Sequence, residues 1–157
     1  MARKVLIACA LMSNADLYLV DEPTPGLEES IVQDFLQTCR AIADQGKSIL
    51  LISHDIGSIL PFSDKVAFFY AGSILEIANQ ADFTANGQNL RHPFSKALYQ
   101  ALPQNNFTPI PGHAPYSGKL PNGCPFAPRC PKFDDCCQQE PPFLDWRNGK
   151  VACFHAT

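Results

Sequence analysis

The chain has 157 residues, 46% hydrophobic and 17% charged. That is a globular composition, long enough for one domain or for a small domain with an appendage. A formal net charge of −3 lacks the basic excess of a general nucleic-acid binder, and no apolar run reaches the roughly 18–20 residues that span a bilayer.

Residues 3–12, RKVLIACALM, suit a buried helix. The basic start and short apolar run imitate a secretory leader, but Asn14 and Asp16 follow at once and a buried strand comes next, which argues against one and for the cytoplasm. Residues 17–20, LYLV, read as a fully apolar strand delivering Asp21 and Glu22 at its end. Over 29–44, Ile31, Val32, Phe35, Leu36, Cys39, Ile42 and Ala43 recur at helical spacing, and Gly46 supplies a stop. Cys9 and Cys39 fall on apolar helical faces as packing residues. A second apolar strand, 48–53, runs into Ser53, His54 and Asp55. A helix between two apolar strands predicts a crossover and a parallel sheet, hence an α/β fold. Residues 65–78 read as two strands around an Ala71–Gly72 turn, and 92–102 as a helix with Pro93 in its first turn. Near Pro103 the composition changes: most of the prolines and five of the seven cysteines lie in 103–157. The expected division is therefore 1–102 and 103–157, the second part being loops that need a staple.

In open parallel sheets, ligands bind at the carboxyl ends of the strands. If strands 17–20 and 48–53 pair, Asp21–Glu22 and Ser53–His54–Asp55 become neighbours. An aspartate there holds Mg²⁺ through oxygen. A glutamate beside it orients or deprotonates an attacking water. A histidine at the next strand end contacts a γ-phosphate or orders the glutamate. Each signal alone is weak, because acids after a strand also serve loops and helix N-termini, as Glu28 and Glu29 do in principle. Their joint order carries the reading.

That order, LYLVDEPTPGLE followed by ILLISHD, resembles the ATP-binding subunits of ABC transporters. FFYAGSILE, RHPFSKALYQALP, NGCPFAPRCP and the terminal VACFH resemble their oligopeptide/dipeptide branch. The resemblance implies Mg²⁺-ATP binding at Asp21, the catalytic base at Glu22 and the γ-phosphate switch at His54. It places Gly26, Leu27 and Glu28 in the D-loop, where the family usually has Asp in place of Glu28. The fold it implies is part of an ABC-type P-loop ATPase domain, parallel strands with helices, followed by a small Cys/Pro-rich C-terminal domain. The phosphate loop G-x-x-x-x-G-K-[ST] does not occur in the 157 residues. The resemblance therefore equates the chain with the C-terminal half of such a subunit, expected to be inactive on ATP by itself. Implied partners are a second ATPase subunit, two membrane permease subunits and a peptide-binding protein, at the cytoplasmic face of a bacterial inner (plasma) membrane. Dipeptides, longer peptides, antimicrobial peptides and nickel complexes all fit as cargo. The rival reading is a non-catalytic metal-binding module.

Cys124, Cys130, Cys136, Cys137 and Cys153 crowd the tail. In a cytoplasmic chain that points to metal or thiol chemistry before disulfides. Cys124, Cys130, Cys137 and Cys153 form C-x5-C-x6-C-x15-C, four thiolates for Zn²⁺ or a [4Fe–4S] cluster. The close pairs usual in structural zinc sites are missing, and the resemblance favours the cluster. Cys136 is left over and His155 is a substitute ligand. Arg129 offsets cluster charge, contacts an anion or lies on the surface.

Overall fold

A computed structural model describes Val5, Cys9, residues 12–116 and residues 118–157. The helix expected over 3–12 lies outside the described residues except at Val5, Cys9 and Met12; Met12 is in a turn, and Val5 and Cys9 are helical and exposed, so Cys9 is not the packing residue expected. The chain divides by packing into two units, 1–62 and 63–157.

In the first unit, β1 (Leu17–Asp21) and β2 (Ser48–Ile52) pair in parallel, Leu17 opposite Ser48 through Asp21 opposite Ile52. They are joined through α1 (Glu29–Asp44). The expected periodicity holds: Val32, Phe35 and Leu36 are buried, with Val20, Leu27, Cys39 and Leu51 packed around them. Burial pushes the Cys39 thiol up to about 11, the behaviour of a packing thiol. The helix closes with Gly46 N–H on Ala43 O (2.9 Å) and Lys47 N–H on Ile42 O (3.4 Å), a paired C-terminal cap. The strands were expected to be buried on both faces, but among the described residues only one face is covered. Tyr18, Val20, Ile49 and Leu51 are half-buried, while Leu17, Leu19, Leu50 and Ile52 are each more than half exposed.

The second unit holds a four-stranded antiparallel sheet in the order β3-β4-β6-β5: β3 (Lys65–Tyr70), β4 (Ser73–Asn79), β5 (Phe143–Trp146) and β6 (Gly149–Ala152). The β3–β4 turn carries positive φ at both Ala71 (48°) and Gly72 (89°), the backbone of a two-residue hairpin whose twist matches its strands. The sequence reading left β5 and β6 as loop. β6 pairs with β4, Glu76 opposite Val151 and Ile77 opposite Lys150, so the cysteine-rich tail completes the sheet begun by 65–79. The compositional change near Pro103 thus falls inside a packing unit whose boundary is at Phe62/Ser63. The reason is shared core: Phe126 from the tail is fully buried against Tyr70 and Phe94, with ring centroids 5.5 and 5.4 Å away.

A second helix of this unit, Pro93–Gln100, starts with proline at its first turn as expected; the His92 ring Nδ1 caps it by accepting from Phe94 N–H (2.9 Å). Beneath it lies a buried charged network. The Glu76 carboxylate accepts from the N–H groups of Arg91 and His92, both at 2.8 Å, and from the Arg91 guanidinium at 3.3 Å. That guanidinium also forks onto Asp82 (2.8 and 3.1 Å) and donates through Nε to Trp146 O (2.9 Å). No helix among the described residues is long and apolar enough to cross a membrane.

Candidate functional site

Pairing β1 with β2 brings their carboxyl ends together, and the carboxylates follow from that. Asp21 ends β1, level with Ile52, and is exposed. At Glu22 the chain turns sharply: φ is +42°, the left-handed region that a residue with a Cβ enters at a cost of roughly 1–2 kcal/mol. Its N–H still bonds Ile52 O at 3.0 Å. The carboxylate meets the His54 ring, with Nδ1 3.0 Å from both Oε1 and Oε2. Strain kept at one residue, spent on one side-chain contact, is the pattern of a site.

The next residues place the loop after Glu22. Pro23 and Thr24 are buried. Leu27 N–H bonds Thr24 O at 3.1 Å, closing a turn with Pro25 and Gly26 at its centre. Gly26 has φ +75°, which the third position of such a turn demands and which glycine adopts without penalty. Leu27 packs on the α1 core, and Glu28 sits at the N-cap of α1 with no side-chain cap bond. On the other strand, Asp55 accepts from Ser58 N–H (3.2 Å) and Ser53 Oγ accepts from Asp55 N–H (3.0 Å), holding the turn that carries His54.

The hydrogen bond to Glu22, then its charge, raises the His54 pKa above the ordinary imidazole value. A protonated His54 donates Nδ1–H to Glu22 and keeps Nε2–H as a donor for an anion. The sign follows: the pair contributes fully below the ordinary imidazole pKa and is lost as pH rises through the raised one. An NMR titration of the His54 ring therefore shows a midpoint above the ordinary value of about 6.5, and Glu22→Gln brings it back down; equal midpoints in the two proteins overturn the pairing.

In the second unit, the loops that carry Cys124 and Cys137 meet. Cys124 N–H bonds Cys137 O at 3.1 Å, which joins two loops. Gly123 permits that approach: φ is +77°, and a Cβ there would meet Cys137 O at 2.4 Å. Burial raises the Cys124, Cys130 and Cys153 thiols, the last to about 11, with the charges of neighbouring cysteines adding to each. His155 N–H donates to Cys153 Sγ at 3.3 Å. Cys124, Cys130, Cys137 and Cys153 supply four thiols in one unit, the donor type of a group held by four thiolates.

Sequence reasoning missed a neighbour. Burial pushes His92 down to about 4, so its ring is neutral. Nδ1 accepts from Phe94 N–H, the proton sits on Nε2, and Nε2 lies 3.9 Å from Cys124 Sγ. The signal was present in RHPF, a polar residue just before a helix-opening proline. Also missed was Asp134, which caps the short turn Asp135–Gln138 by accepting from Cys136 N–H at 3.0 Å. Of the readings open for Arg129, the structure favours none involving an anion: its guanidinium donates to Pro111 O, Ile110 O and Tyr70 Oη at 2.8, 3.0 and 3.2 Å.

Comparison with known proteins shows what the chain resembles. A model of the "Oligopeptide/dipeptide transporter, C-terminal region" matches residues 75–137. The oligopeptide transport ATP-binding protein AppD of Bacillus subtilis is 35% identical over 98% of this chain and 48% of its own length. The chain is similar to part of the oligopeptide and dipeptide transport ATP-binding proteins. The oligopeptide transport ATP-binding protein OppD of Escherichia coli is 32% identical over 98% of the chain and 47% of its own length. Its namesake in Mycobacterium tuberculosis is 35% identical over 91% of the chain and 24% of its own length. The chain thus spans about half the length, or less, of these transport ATP-binding relatives.

Proposed function

We propose that this chain supplies the hydrolytic carboxylates and switch histidine of an ATP-binding subunit that energises peptide uptake by an ABC importer. The observation that carries it is the Glu22–His54 pair, 3.0 Å apart at adjacent parallel strand ends, in a chain related to transport ATP-binding proteins. In this reading Asp21 holds Mg²⁺ of MgATP, Glu22 takes a proton from the attacking water, and His54 donates Nε2–H toward the γ-phosphate while Glu22 fixes its ring. Gly26, Leu27 and Glu28 form the loop that meets the second ATPase subunit. Two membrane permease subunits and a peptide-binding protein complete the importer, with this chain at the cytoplasmic face of the inner membrane.

The phosphate-binding loop has to come from sequence other than these 157 residues, because backbone N–H groups and a lysine must cradle the phosphates. The test is MgATP binding and turnover by an assembly that contains this chain and a phosphate-loop segment. Turnover that requires Glu22 supports the reading. Strong Mg²⁺-dependent turnover by the 157 residues alone overturns this division of labour.

For the tail, the proposal is a [4Fe–4S] cluster held by Cys124, Cys130, Cys137 and Cys153, with Zn²⁺ as the alternative occupant of the same four thiolates. When bound, a cluster supplies four iron–thiolate bonds, a covalent staple for a segment poor in helix and strand. The chain's own part is to hold thiolates: His92 Nε2–H faces Cys124 Sγ and His155 N–H donates to Cys153 Sγ. Iron and acid-labile sulfide in the anaerobically purified chain, lost in Cys130→Ser and kept in Cys136→Ser, are the expected result; their absence from the unsubstituted chain overturns it.

A further inference from the structure

Cys136 is the thiol that the four-cysteine set leaves over, and the structure gives it company. Its Sγ lies 2.8 Å from Asp134 Oδ1 and 3.7 Å from His155 Nε2. Cys137 Sγ lies 3.7 Å from the same Asp134 oxygen, and Asp134 Oδ2 lies 3.1 Å from His155 Nε2. One ligand atom from each of the four residues falls within 4.8 Å of all the others.

We propose that Asp134, Cys136, Cys137 and His155 form a mononuclear site for a Zn²⁺-class divalent cation. The geometry is the first argument. Zn²⁺ bonds of about 2.0–2.3 Å in a tetrahedron put the ligand atoms roughly 3.3–3.8 Å apart. Four of the separations run from 2.8 to 3.7 Å and overlap that range, and all the ligand atoms lie within 4.8 Å of one another, so side-chain adjustments admit the ion.

The donor set is the second argument. Two thiols, an imidazole and a carboxylate are the ligand types of zinc; a hard cation such as Mg²⁺ takes oxygen instead. Placement is the third. Asp134 and the two cysteines share one short turn pinned by Asp134 itself, and His155 comes from the segment after β6. The site therefore ties the tail's end to its middle.

Binding removes the protons of Cys136 and Cys137, so two protons leave as one ion enters. Cys137 belongs to both sets, so a four-thiolate cluster and this site cannot both be complete in one molecule. The inference does not need the cluster. It stands if the tail never carries iron.

Co²⁺ reports the site, because its thiolate charge-transfer absorption counts sulfur ligands. The experiment uses the full chain, reduced and stripped of metal, in the Cys130→Ser background that breaks the four-thiol set. The expected result is one Co²⁺ per chain with two-thiolate intensity, displaced by Zn²⁺. Adding Cys136→Ser halves the intensity and weakens binding by about tenfold or more. His155→Gln weakens binding similarly and leaves the thiolate count unchanged. Failure to bind Co²⁺, or binding indifferent to Cys136 and His155, overturns the proposal. If Cys130→Ser does not fold, the unsubstituted chain decides: two-thiolate intensity sensitive to Cys136→Ser supports the site, and four-thiolate intensity insensitive to it overturns the site.

Discussion

Glu76→Ala lowers the unfolding free energy of the 63–157 unit by about 3–5 kcal/mol in urea denaturation. Glu76 is fully buried, and Arg91 is 1% exposed. Removing the carboxylate strands three donors at once: the N–H groups of Arg91 and His92 and one arm of the guanidinium. The loss is comparable to much of the 5–15 kcal/mol by which a domain is ordinarily stable. Asp82 pairs with the same guanidinium, but its side chain keeps 15% exposure and water can replace part of its contact. Asp82→Asn should therefore cost far less, about 1 kcal/mol, since a hydrogen bond survives. Equal and small losses in both variants would show that Glu76 is not the centre of this network.

Glu22→Gln lowers ATP turnover by about 10²–10⁴-fold in an assembly containing this chain, the range for losing a positioned general base. The substitution is nearly isosteric and sits at a residue already outside the strand ladder, so β1–β2 pairing and nucleotide binding should persist. His54→Ala removes the ring that holds Glu22 in place. It should reduce turnover too, and no further in the Glu22→Gln background, because the two act as one unit. Losses that simply multiply would mean that His54 and Glu22 work separately. Turnover indifferent to Glu22 would remove the hydrolytic role altogether.

The strand-end site is local in origin, which is why so much of it was legible. Apolar run, two acids, Pro-rich turn, amphipathic helix, apolar run and His54 are consecutive along residues 17–55, and one parallel pairing is enough to bring both ends together. Even so, the sequence offered no sign that Glu22 adopts φ +42°, since no glycine or asparagine stands there to announce a left-handed residue. The second unit was read less well. Its sheet joins residues 65–79 to 143–152, and antiparallel pairing over such a separation leaves no local periodicity to detect.

By itself, then, the sequence determined the helix of 29–44, the two parallel strands, the hairpin at Ala71–Gly72, the helix opened by Pro93 and the convergence of chemistry at two strand ends. Each depends on side-chain period, turn residues or order along the chain, all of which are local. Only the tertiary structure decided that the cysteine-rich tail shares a core with 65–100, that Glu76 and Arg91 are buried together, and that His155 meets Cys136. Those contacts link residues 15 to 75 positions apart. Their partners are chosen by which buried surfaces and unsatisfied polar groups complete one another once the chain has collapsed, and no short stretch of residues records that choice.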